Sequence, residues 1–306
     1  MRSTVIRSNL RSRRRAGLAS RVAHPVDGTP RWLWRALPWI VALTLLSLRA
    51  TDASGQTTAS VRLASHAPAD VTASLPFAVG ERLVYDAHAG PGLNGRAEMW
   101  IEGPVELRGT STMKLRFSFS ARVGFLRVND NTTSWLDPVR MATLRFAKEE
   151  HHLLARRSED VDIDPAARRW ETADGRVGTS GSDAPLDELS FIYAIRTFSL
   201  ADDSTVVLDR HFDPARSPTT LRSLGRGSVT TPMGVFATRE VEMRVRDAHN
   251  YQGEGVIRFS FSDDACRRPV RIESKIPGAG TVVLTLASAS PSIAGCQAGT
   301  ATVARL

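Results

Sequence analysis

The sequence predicts a mainly β protein: a curved antiparallel sheet or open β-barrel of about eight to ten strands with one packed helix. Three observations support this fold class. Several segments alternate apolar and polar residues with a period of two, which is typical of strands that bury one face. Clusters of Gly, Pro, Asn and Asp separate these segments. One further segment has helical periodicity instead.

The clearest predicted strand is 113–123, where apolar residues at odd positions alternate with Lys, Arg and Ser at even positions. The same pattern recurs over 235–245, with Arg239 as the single exception. Shorter alternating stretches lie at 83–85, 97–101, 257–261, 270–272 and 282–286. This alternation indicates an antiparallel sheet, because strands of a parallel sheet are covered on both faces and contain continuous apolar runs.

The segment 186–200 predicts the helix. Apolar residues recur at helical spacing from Leu189 to Ile195, and three aromatic residues widen their face. Asp183 is the predicted N-cap, and Pro185 suits a first helical turn. The broad apolar surface predicts a helix that is largely buried.

The amino-terminal segment predicts export. An arginine-rich stretch precedes the apolar run 36–48, and Thr51-x-Ala53 matches a small-x-small cleavage pattern. We therefore expect a secretory signal, cleaved near Ser54, that directs the rest of the chain to the periplasm. The alternative is an uncleaved signal anchor in which residues 36–48 hold the protein on the membrane. As a helix this run spans about 20 Å, which is short for the ~30 Å of bilayer hydrocarbon.

These patterns divide the chain into four parts. They are a signal peptide or signal anchor (1–53), a flexible linker rich in Ala, Ser and Thr (54–76), a single β-rich domain (77–290) and a C-terminal tail (291–306).

The charge distribution argues against nucleic-acid binding. The formal net charge is +8, and all of it lies in residues 1–53, which contain ten arginines and two aspartates. The remaining residues carry equal numbers of basic and acidic side chains. The basicity therefore belongs to the leader, and membrane contact is expected only through that segment if it is retained.

Cys266 and Cys296 are the only cysteines, and both belong to the part expected to be exported. In an oxidising compartment they predict a disulfide, which would close a loop of about thirty residues and contribute ~3 kcal/mol in the chain-entropy model. Two unpaired thiols are the alternative.

One acidic segment imitates a calcium site. Asp160, Asp162 and Asp164, followed by Glu171, have the carboxylate spacing of an EF-hand loop. Pro165 stands where such a loop needs Gly for its sharp turn. The segment is better interpreted as an exposed strand that leads into a turn.

Three other polar groups are weaker candidates. Asp209, His211 and Asp213 share one face if they lie on a strand, which leaves a metal or proton-transfer role open. In 149–152 two adjacent histidines follow two glutamates, and on a strand the two rings would point to opposite faces. The pair 267–268, Arg-Arg, is typical of a charged turn, with a phosphate site as the alternative.

The sequence contains no recognised catalytic motif. The patterns G-x-S-x-G and H-E-x-x-H are absent, as is a P-loop. We predict a protein without enzymatic activity, cofactor or metal.

Five segments, taken in order, resemble a family of exported bacterial proteins, the domain-of-unknown-function family numbered 3108. They are 77–85 (FAVGERLVY), 135–137 (WLD), 187–196 (DELSFIYAIR), 231–236 (TPMGVF) and 268–272 (RPVRI). The resemblance covers about 77–290. It implies an exported protein of unknown activity and carries over no catalytic residue.

The combination of a curved sheet, an apolar helix and an exported chain leads to a functional expectation. We expect non-catalytic binding of an apolar or amphipathic ligand of the cell envelope, such as a lipid, at residues that the sequence does not identify. The alternative is a structural or assembly factor that docks another envelope protein through a sheet edge.

Overall fold

One large sheet contains most of the chain that the structure describes. The structure is a computed structural model and describes residues 61–62, 75–90, 92–123, 126–152, 155–246, 254–276 and 280–290. The strands in these ranges are β1 (Val61–Arg62), β2 (Arg82–Ala89), β3 (Leu93–Leu107), β4 (Thr110–Val123), β5 (Leu126–Asp137), β6 (Ala142–His152), β7 (Ala155–Asp164), β8 (Arg169–Thr172), β9 (Val177–Thr179), β10 (Thr205–Leu208), β11 (Thr219–Thr231), β12 (Gly234–Arg246), β13 (Glu254–Ser262), β14 (Pro269–Ile276) and β15 (Gly280–Ser290). The helix α1 (Glu188–Thr197) lies between β9 and β10 in the chain, and a short 3-10 helix (Pro214–Arg216) precedes β11.

The sheet consists of two antiparallel meanders. Strands β2 to β9 are neighbours in chain order, and so are β10 to β15. Strand β15 pairs with β2 and joins the two meanders, while β1 adds to β10 in parallel. In the described residues β1 and β9 lie at the two ends of the strand order and do not pair with each other, so the sheet is not closed into a barrel.

The predicted alternation of buried and wet faces is confirmed in β4. In β12 it is wrong for the first residues, because Val235 is exposed and Phe236 is buried, and it holds only from Val241 onward. In β4, Leu115, Phe117 and Phe119 are buried, and the residues between them are partly exposed. Leu221 of β11 and Leu136 of β5 belong to the same buried cluster, although their strands lie far apart in the sheet. The sheet therefore curves, and its concave face holds the core.

The sheet has more strands than the eight to ten that the sequence predicted, although the fold class is confirmed. Strand β7 contains mainly Arg, Glu and Asp, with only Val161 and Ile163 fully buried among its apolar residues. Strands β8 and β9 have four and three residues. Strands this short are held by backbone hydrogen bonds, so hydrophobic periodicity does not find β8 and β9. Of β7 the sequence indicated only the end at 160–164. Strand β1 lies within the segment predicted as a linker, and its two residues pair with Val206 and Val207.

Asp187 is the N-cap of α1, so the prediction of Asp183 is wrong. The Asp187 carboxylate accepts hydrogen bonds from the backbone N–H groups of Leu189 (2.8 Å) and Ser190 (2.9 Å). The Ser190 hydroxyl in turn accepts from the Asp187 N–H at 2.8 Å, which completes a capping box. Asp183 is exposed and lies before this turn.

The prediction of a largely buried helix is confirmed. Every residue from Leu189 to Arg196 is buried against the concave face, where α1 contacts β4 and β5. Pro185 precedes the helix instead of lying in its first turn, and its carbonyl accepts from the Thr143 N–H at 2.8 Å.

The leader 1–53 and the tail 291–306 lie outside the described residues, as does the linker apart from β1 and residues 75–76. Within the described ranges, no helix combines the length and the apolar character needed to cross a membrane.

Candidate functional site

An apolar slot lies between α1 and the concave face of the sheet. It contains about 620 Å³ of empty space, a figure that includes solvent at its mouth. Nine of its thirteen lining residues are apolar: Met99, Phe117, Leu189, Ile192, Ile257, Phe259, Ile272, Val282 and Leu284. The other four are Thr132, Lys148, Glu188 and Ser274. The slot can therefore hold an apolar group, and its only charged lining residues are Lys148 and Glu188.

Strand register explains where the charge lies. Across neighbouring strands from β3 to β7, Met99 pairs with Phe117, Phe117 with Thr132, Thr132 with Lys148, and Lys148 with Glu159. Directly paired residues in a sheet share a face, so these five side chains form one row. Along the row the concave face changes from apolar to charged.

At the charged end of the row, Lys148 and Arg216 form ion pairs with three buried or half-buried glutamates. Lys148 Nζ lies 2.7 Å from Glu150 Oε1, and both side chains are buried. Arg216 pairs with Glu188, the first residue of α1, and its Nη2 lies 3.6 Å from Glu159 Oε2. A buried charge is stable only when it is paired or hydrogen-bonded, so the cluster depends on these contacts.

The neighbouring charges act on the two glutamates in opposite directions. Burial raises the pKa of Glu188, but Arg216, His211 and Lys148 outweigh burial and leave this pKa below its ordinary value. Burial, with the nearby charge of Glu188, raises the pKa of Glu159 above its ordinary value despite Arg216. Glu188 is therefore the more firmly ionised of the two.

His211 packs against the same cluster. Its Nδ1 accepts a hydrogen bond from the Asp213 N–H at 3.0 Å, so the proton of the neutral ring is on Nε2. Nε2 lies 4.0 Å from Glu188 Oε1. Burial lowers the pKa of His211 to about 4, and Arg216 acts in the same direction. The ring is therefore neutral at pH 7.

Lys148 also lines a second pocket, which we call the basic cleft. This open space holds about 1070 Å³, again including solvent. Its lining contains five basic residues, three acidic ones and four others. They are Lys148, Arg156, Arg157, Arg176 and Arg216; Glu150, Glu159 and Asp213; and Ser158, Trp170, Thr172 and Phe212. The slot and the cleft meet at Lys148.

The C-terminal end of α1 is fixed by a buried ion pair. Arg196 Nη1 and Nη2 donate to the two carboxylate oxygens of Glu81 at 2.5 and 2.7 Å. The same guanidinium donates to the carbonyls of Cys266 and Pro76. Neither side chain of the pair is exposed. Two segments of the family resemblance, 77–85 and 187–196, meet in this contact.

The N-terminal end of α1 is fixed by the Asp187 carboxylate. Besides capping the helix, it accepts from the hydroxyls of Ser134 (2.5 Å) and Thr143 (2.7 Å) on β5 and β6. Burial raises the pKa of Asp187 to about 6, against the opposing effect of its hydrogen-bond donors. The helix is thus attached to the sheet at both ends.

The calcium-like segment forms the strand and turn that the sequence indicated. Asp160 receives two hydrogen bonds from Arg145, at 3.0 and 2.7 Å. Asp162 pairs with Arg108 at 3.4 Å, and Asp164 accepts from the Ala167 N–H in the turn after β7. In the described part of the chain no three His, Cys, Asp or Glu side chains are arranged to hold a metal ion.

The structure separates the other polar candidates. Strand β10 ends at Leu208, so the prediction that Asp209, His211 and Asp213 share a strand face is wrong. Asp209 is exposed, and the other two are buried. Of the 149–152 group, Glu150 lines the basic cleft, while Glu149 and His151 are exposed on the opposite face.

The predicted charged turn at 267–268 is confirmed, and it contacts the end of α1. Arg267 Nη1 donates to the carbonyl of Phe198 at 2.5 Å. Arg268 is buried. Cys266, in the same turn, is also buried, but Cys296 lies outside the described residues, so the disulfide stays a prediction.

Sequence reasoning missed the residues of the basic cleft. A signal was present, because Phe146, Lys148 and Glu150 alternate on one face of β6, which places the two charges on the buried side. Arg216 gives no such signal, since only the folding of 209–218 against α1 brings it to Glu188.

Together, the fold and the site define a class: an open antiparallel sheet that wraps one buried helix, with an apolar slot beside the helix and a charged cleft at its end. The chain belongs to the DUF3108 family, described as a protein of unknown function, whose model matches residues 84–287. The resemblance found in the sequence is thereby confirmed.

Several solved structures are similar to this chain, and no curated protein matches it. One is a β-barrel-like protein of the domain of unknown function DUF1849 from Brucella abortus, with a TM-score of 0.47 and 14% identity over 69% of this chain and 97% of that chain. Another, from Parabacteroides distasonis, is titled a "putative lipoprotein" (TM-score 0.31, 9% identity, 71% of this chain and 97% of that chain). A third, from Bacteroides fragilis, is titled a "putative exported protein" with a YmcC-like fold (TM-score 0.29, 9% identity, 71% and 98%).

Proposed function

We propose that this protein binds an amphipathic molecule outside the cytoplasm, with the apolar part of the ligand in the slot beside α1. The observation that supports this most directly is the slot itself, an apolar space with charge at one end. Ligand sites are typically apolar concavities with a few polar groups that fix orientation. The arginine-rich leader supports the extracytoplasmic location.

Binding without catalysis is the simplest role for this arrangement. The sequence contains neither the G-x-S-x-G pattern of a serine hydrolase nor the H-E-x-x-H pattern of a zinc protease. The polar residues of the slot are Thr132, Ser274, Lys148 and Glu188; Lys148 pairs with Glu150 and Glu188 pairs with Arg216. They provide contacts for a polar headgroup at the end of an apolar chain.

Docking of another protein through a sheet edge is the alternative function. Strands β1 and β9, which end the strand order of the described residues, have only two and three residues. Longer edges lie beside them, because β10 pairs only with 219–222 of β11 and β8 only with 161–164 of β7. These edges suit the addition of a partner strand, so docking is the second candidate function.

Ser274 permits a direct test of the slot. Its hydroxyl is buried and has no hydrogen-bond partner, so its removal costs little stability. Ser274→Leu adds three carbon atoms toward the empty space, whereas Ser274→Ala removes the same hydroxyl without filling the slot. The pair therefore separates occlusion of the slot from loss of the hydroxyl.

The measurement is the fluorescence of cis-parinaric acid, an 18-carbon fatty acid, titrated with wild type and both variants. We expect wild type and Ser274→Ala to bind alike and Ser274→Leu to bind at least about tenfold more weakly, a loss of ~1.4 kcal/mol. Denaturant melts check that all three proteins are folded. Equal binding by wild type and Ser274→Leu, or no binding by wild type, would contradict the proposal.

A further inference from the structure

Three buried polar side chains beside the C-terminal end of α1 lack hydrogen-bond partners. The hydroxyls of Tyr85 and Tyr193 and the Nε and Nη2 atoms of Arg268 are buried and have no partner in the described part of the chain. Tyr85 and Tyr193 are 0% exposed, and Arg268 is 2% exposed. None of the three lines the slot or the basic cleft. We call these three residues the Arg268 cluster.

Arg196 joins the elements that carry the Arg268 cluster. It donates to Glu81, which directly precedes β2, and to the carbonyl of Cys266 in the turn before β14. Its Cζ lies 5.4 Å from the centre of the Tyr193 ring on α1. The elements α1, β2 and β14 therefore meet here. Three of the five segments of the family resemblance contribute to the meeting point: 77–85, 187–196 and 268–272.

The unbonded edge of Arg268 is the one that suits an anion. Its Nε–H and Nη2–H groups point the same way and form a fork that holds an anion through two parallel hydrogen bonds. The backbone is fixed, because the Arg268 N–H donates to Ser262 Oγ and the Arg268 carbonyl accepts from the Ser262 N–H, both at 2.8 Å. A buried guanidinium whose donors stay unbonded is costly, so the fork requires an acceptor.

The neighbouring groups define the charge of that acceptor. Arg196 and Arg268 carry two positive charges against the single carboxylate of Glu81, which gives both of its oxygens to Arg196. Burial raises the pKa of Tyr85 and of Tyr193 well above the ordinary value, so both phenols keep their protons and can donate. The charge of Arg268 opposes this rise at Tyr85, so the two groups are neighbours. One negative charge would balance the cluster.

We propose that the Arg268 cluster binds one small monovalent anion, such as chloride, between the guanidinium fork and the two tyrosine hydroxyls. The near absence of exposed surface restricts the site to a small ion. The anion replaces the missing carboxylate and fastens the turn before β14 to β2 and α1. This site goes beyond the proposed function and is independent of the slot.

The test measures unfolding in urea while sodium chloride replaces sodium gluconate at constant ionic strength. Gluconate is too large for an enclosed site and serves as the inert anion. Wild type is compared with Arg268→Met, which removes the fork, and with Tyr85→Phe, which removes one hydroxyl. Arg267→Met is the matched control, because it removes the same charge from the neighbouring residue, whose guanidinium bonds the Phe198 carbonyl instead.

Above the dissociation constant, the folding equilibrium constant of wild type should rise about tenfold for each tenfold increase in chloride, since one ion binds only the folded state. Tyr85→Phe should need about tenfold more chloride for the same effect, because one hydrogen bond to the ion is lost. Arg268→Met should not respond to chloride, and in gluconate it should be more stable than wild type, because it lacks the unpaired buried charge. Arg267→Met should respond as wild type does.

Each contrary outcome overturns the site and leaves amphiphile binding in the slot untouched. An equal response to chloride in Arg268→Met would identify a general salt effect. No response in wild type would mean that buried water bonds the donors instead. If Arg268→Met does not fold, Tyr85→Phe decides, because it removes only a hydroxyl that has no partner among the described residues. A chloride dependence identical to that of wild type would then overturn the proposal.

Discussion

The two ends of α1 carry two buried ion pairs that differ in how completely the atoms of each pair are bonded. At the C-terminal end, Arg196 and Glu81 form two hydrogen bonds, and the guanidinium also donates to backbone carbonyls. At the N-terminal end, Glu188 pairs with Arg216, but Glu188 Oε2 and His211 Nε2 are buried without a hydrogen-bond partner in the described structure.

This difference separates a structural cluster from a candidate functional one. An ion pair whose donors and acceptors are bonded fixes the geometry of the fold, and leaving it incomplete would be costly. A cluster that lines two cavities and retains unbonded polar atoms can form further hydrogen bonds with a ligand or with water. We therefore infer that the pair at Arg196 stabilises the fold and that the residues around Glu188 contribute to ligand binding.

The largest effect is expected from removing the C-terminal pair. Arg196→Met leaves the Glu81 carboxylate buried without its guanidinium partner, which should lower the free energy of unfolding by about 3–5 kcal/mol. The same change at the other end, Arg216→Met, should cost only about 1–2 kcal/mol, because Arg216 and Glu159 line the open cleft, where water replaces part of the lost contact. Urea melts of both variants measure the difference.

The double variant Glu81→Gln/Arg196→Met is the control, since it removes the stranded charge along with the arginine. It should recover part of the stability lost in Arg196→Met. Equal losses in Arg196→Met and Arg216→Met would show that the two clusters do not differ in the way we argue.

A smaller effect distinguishes a packed helix from a mobile lid. Ile195 lies in the core away from the slot, and Ile195→Ala should cost about 2–5 kcal/mol. Ile192 borders the slot, so Ile192→Ala should fall at the lower limit of that range, because part of its surroundings is already empty. Cis-parinaric acid should raise the stability of wild type by mass action.

Denaturant melts of both variants, with and without the fatty acid, provide the comparison. A cost near 1 kcal/mol for Ile192→Ala, together with a large gain on adding the fatty acid, would indicate a lid. A loss of about 2–5 kcal/mol for Ile192→Ala, with no increase in the stability of wild type when the fatty acid is added, would argue against a binding slot.

The sequence predicted the features that repeat and missed those that depend on tertiary contacts. Alternation at 113–123 gave β4, and helical spacing gave α1, because each pattern records burial directly in the chain. The N-cap was misplaced, since Asp183 and Asp187 both suit a cap and only the packing against Ser134 and Thr143 selects Asp187.

The candidate site was less predictable than the fold. The register that places Phe117, Thr132 and Lys148 in one row depends on how β4, β5 and β6 pair. Each strand shows only its own alternation, and a shift of one residue would move a whole set of side chains to the other face. Arg216 reaches Glu188 through a turn that has no periodic pattern.

The smallest effect concerns His211, which lies between the two cavities. Its pKa of about 4 in the folded state is below the ordinary value of about 6.5. The unfolded chain therefore binds the proton more tightly, so the stability that the neutral ring contributes is complete above pH 6.5 and is lost as the pH falls toward 4. Between pH 7 and pH 5 the loss should be about 2 kcal/mol.

His211→Asn isolates this contribution, because the Asn amide oxygen can replace Nδ1 as the acceptor for the Asp213 N–H and does not titrate. Wild type alone is insufficient, since the raised pKa of Asp187 acts in the opposite direction and stabilises the fold as the pH falls through 6. The other charges around the ring, Glu188 and Arg216, do not change state in this window.

Urea melts of both proteins at pH 7 and pH 5 measure this contribution. On acidification the free energy of unfolding of the variant should fall by about 2 kcal/mol less than that of wild type. Parallel losses would mean that folding does not lower the pKa of His211, so that the ring takes up its proton by pH 5 in the folded protein as well. It would then be a partner of Glu188, and the cluster at this end of α1 would be as fully bonded as the one at Arg196.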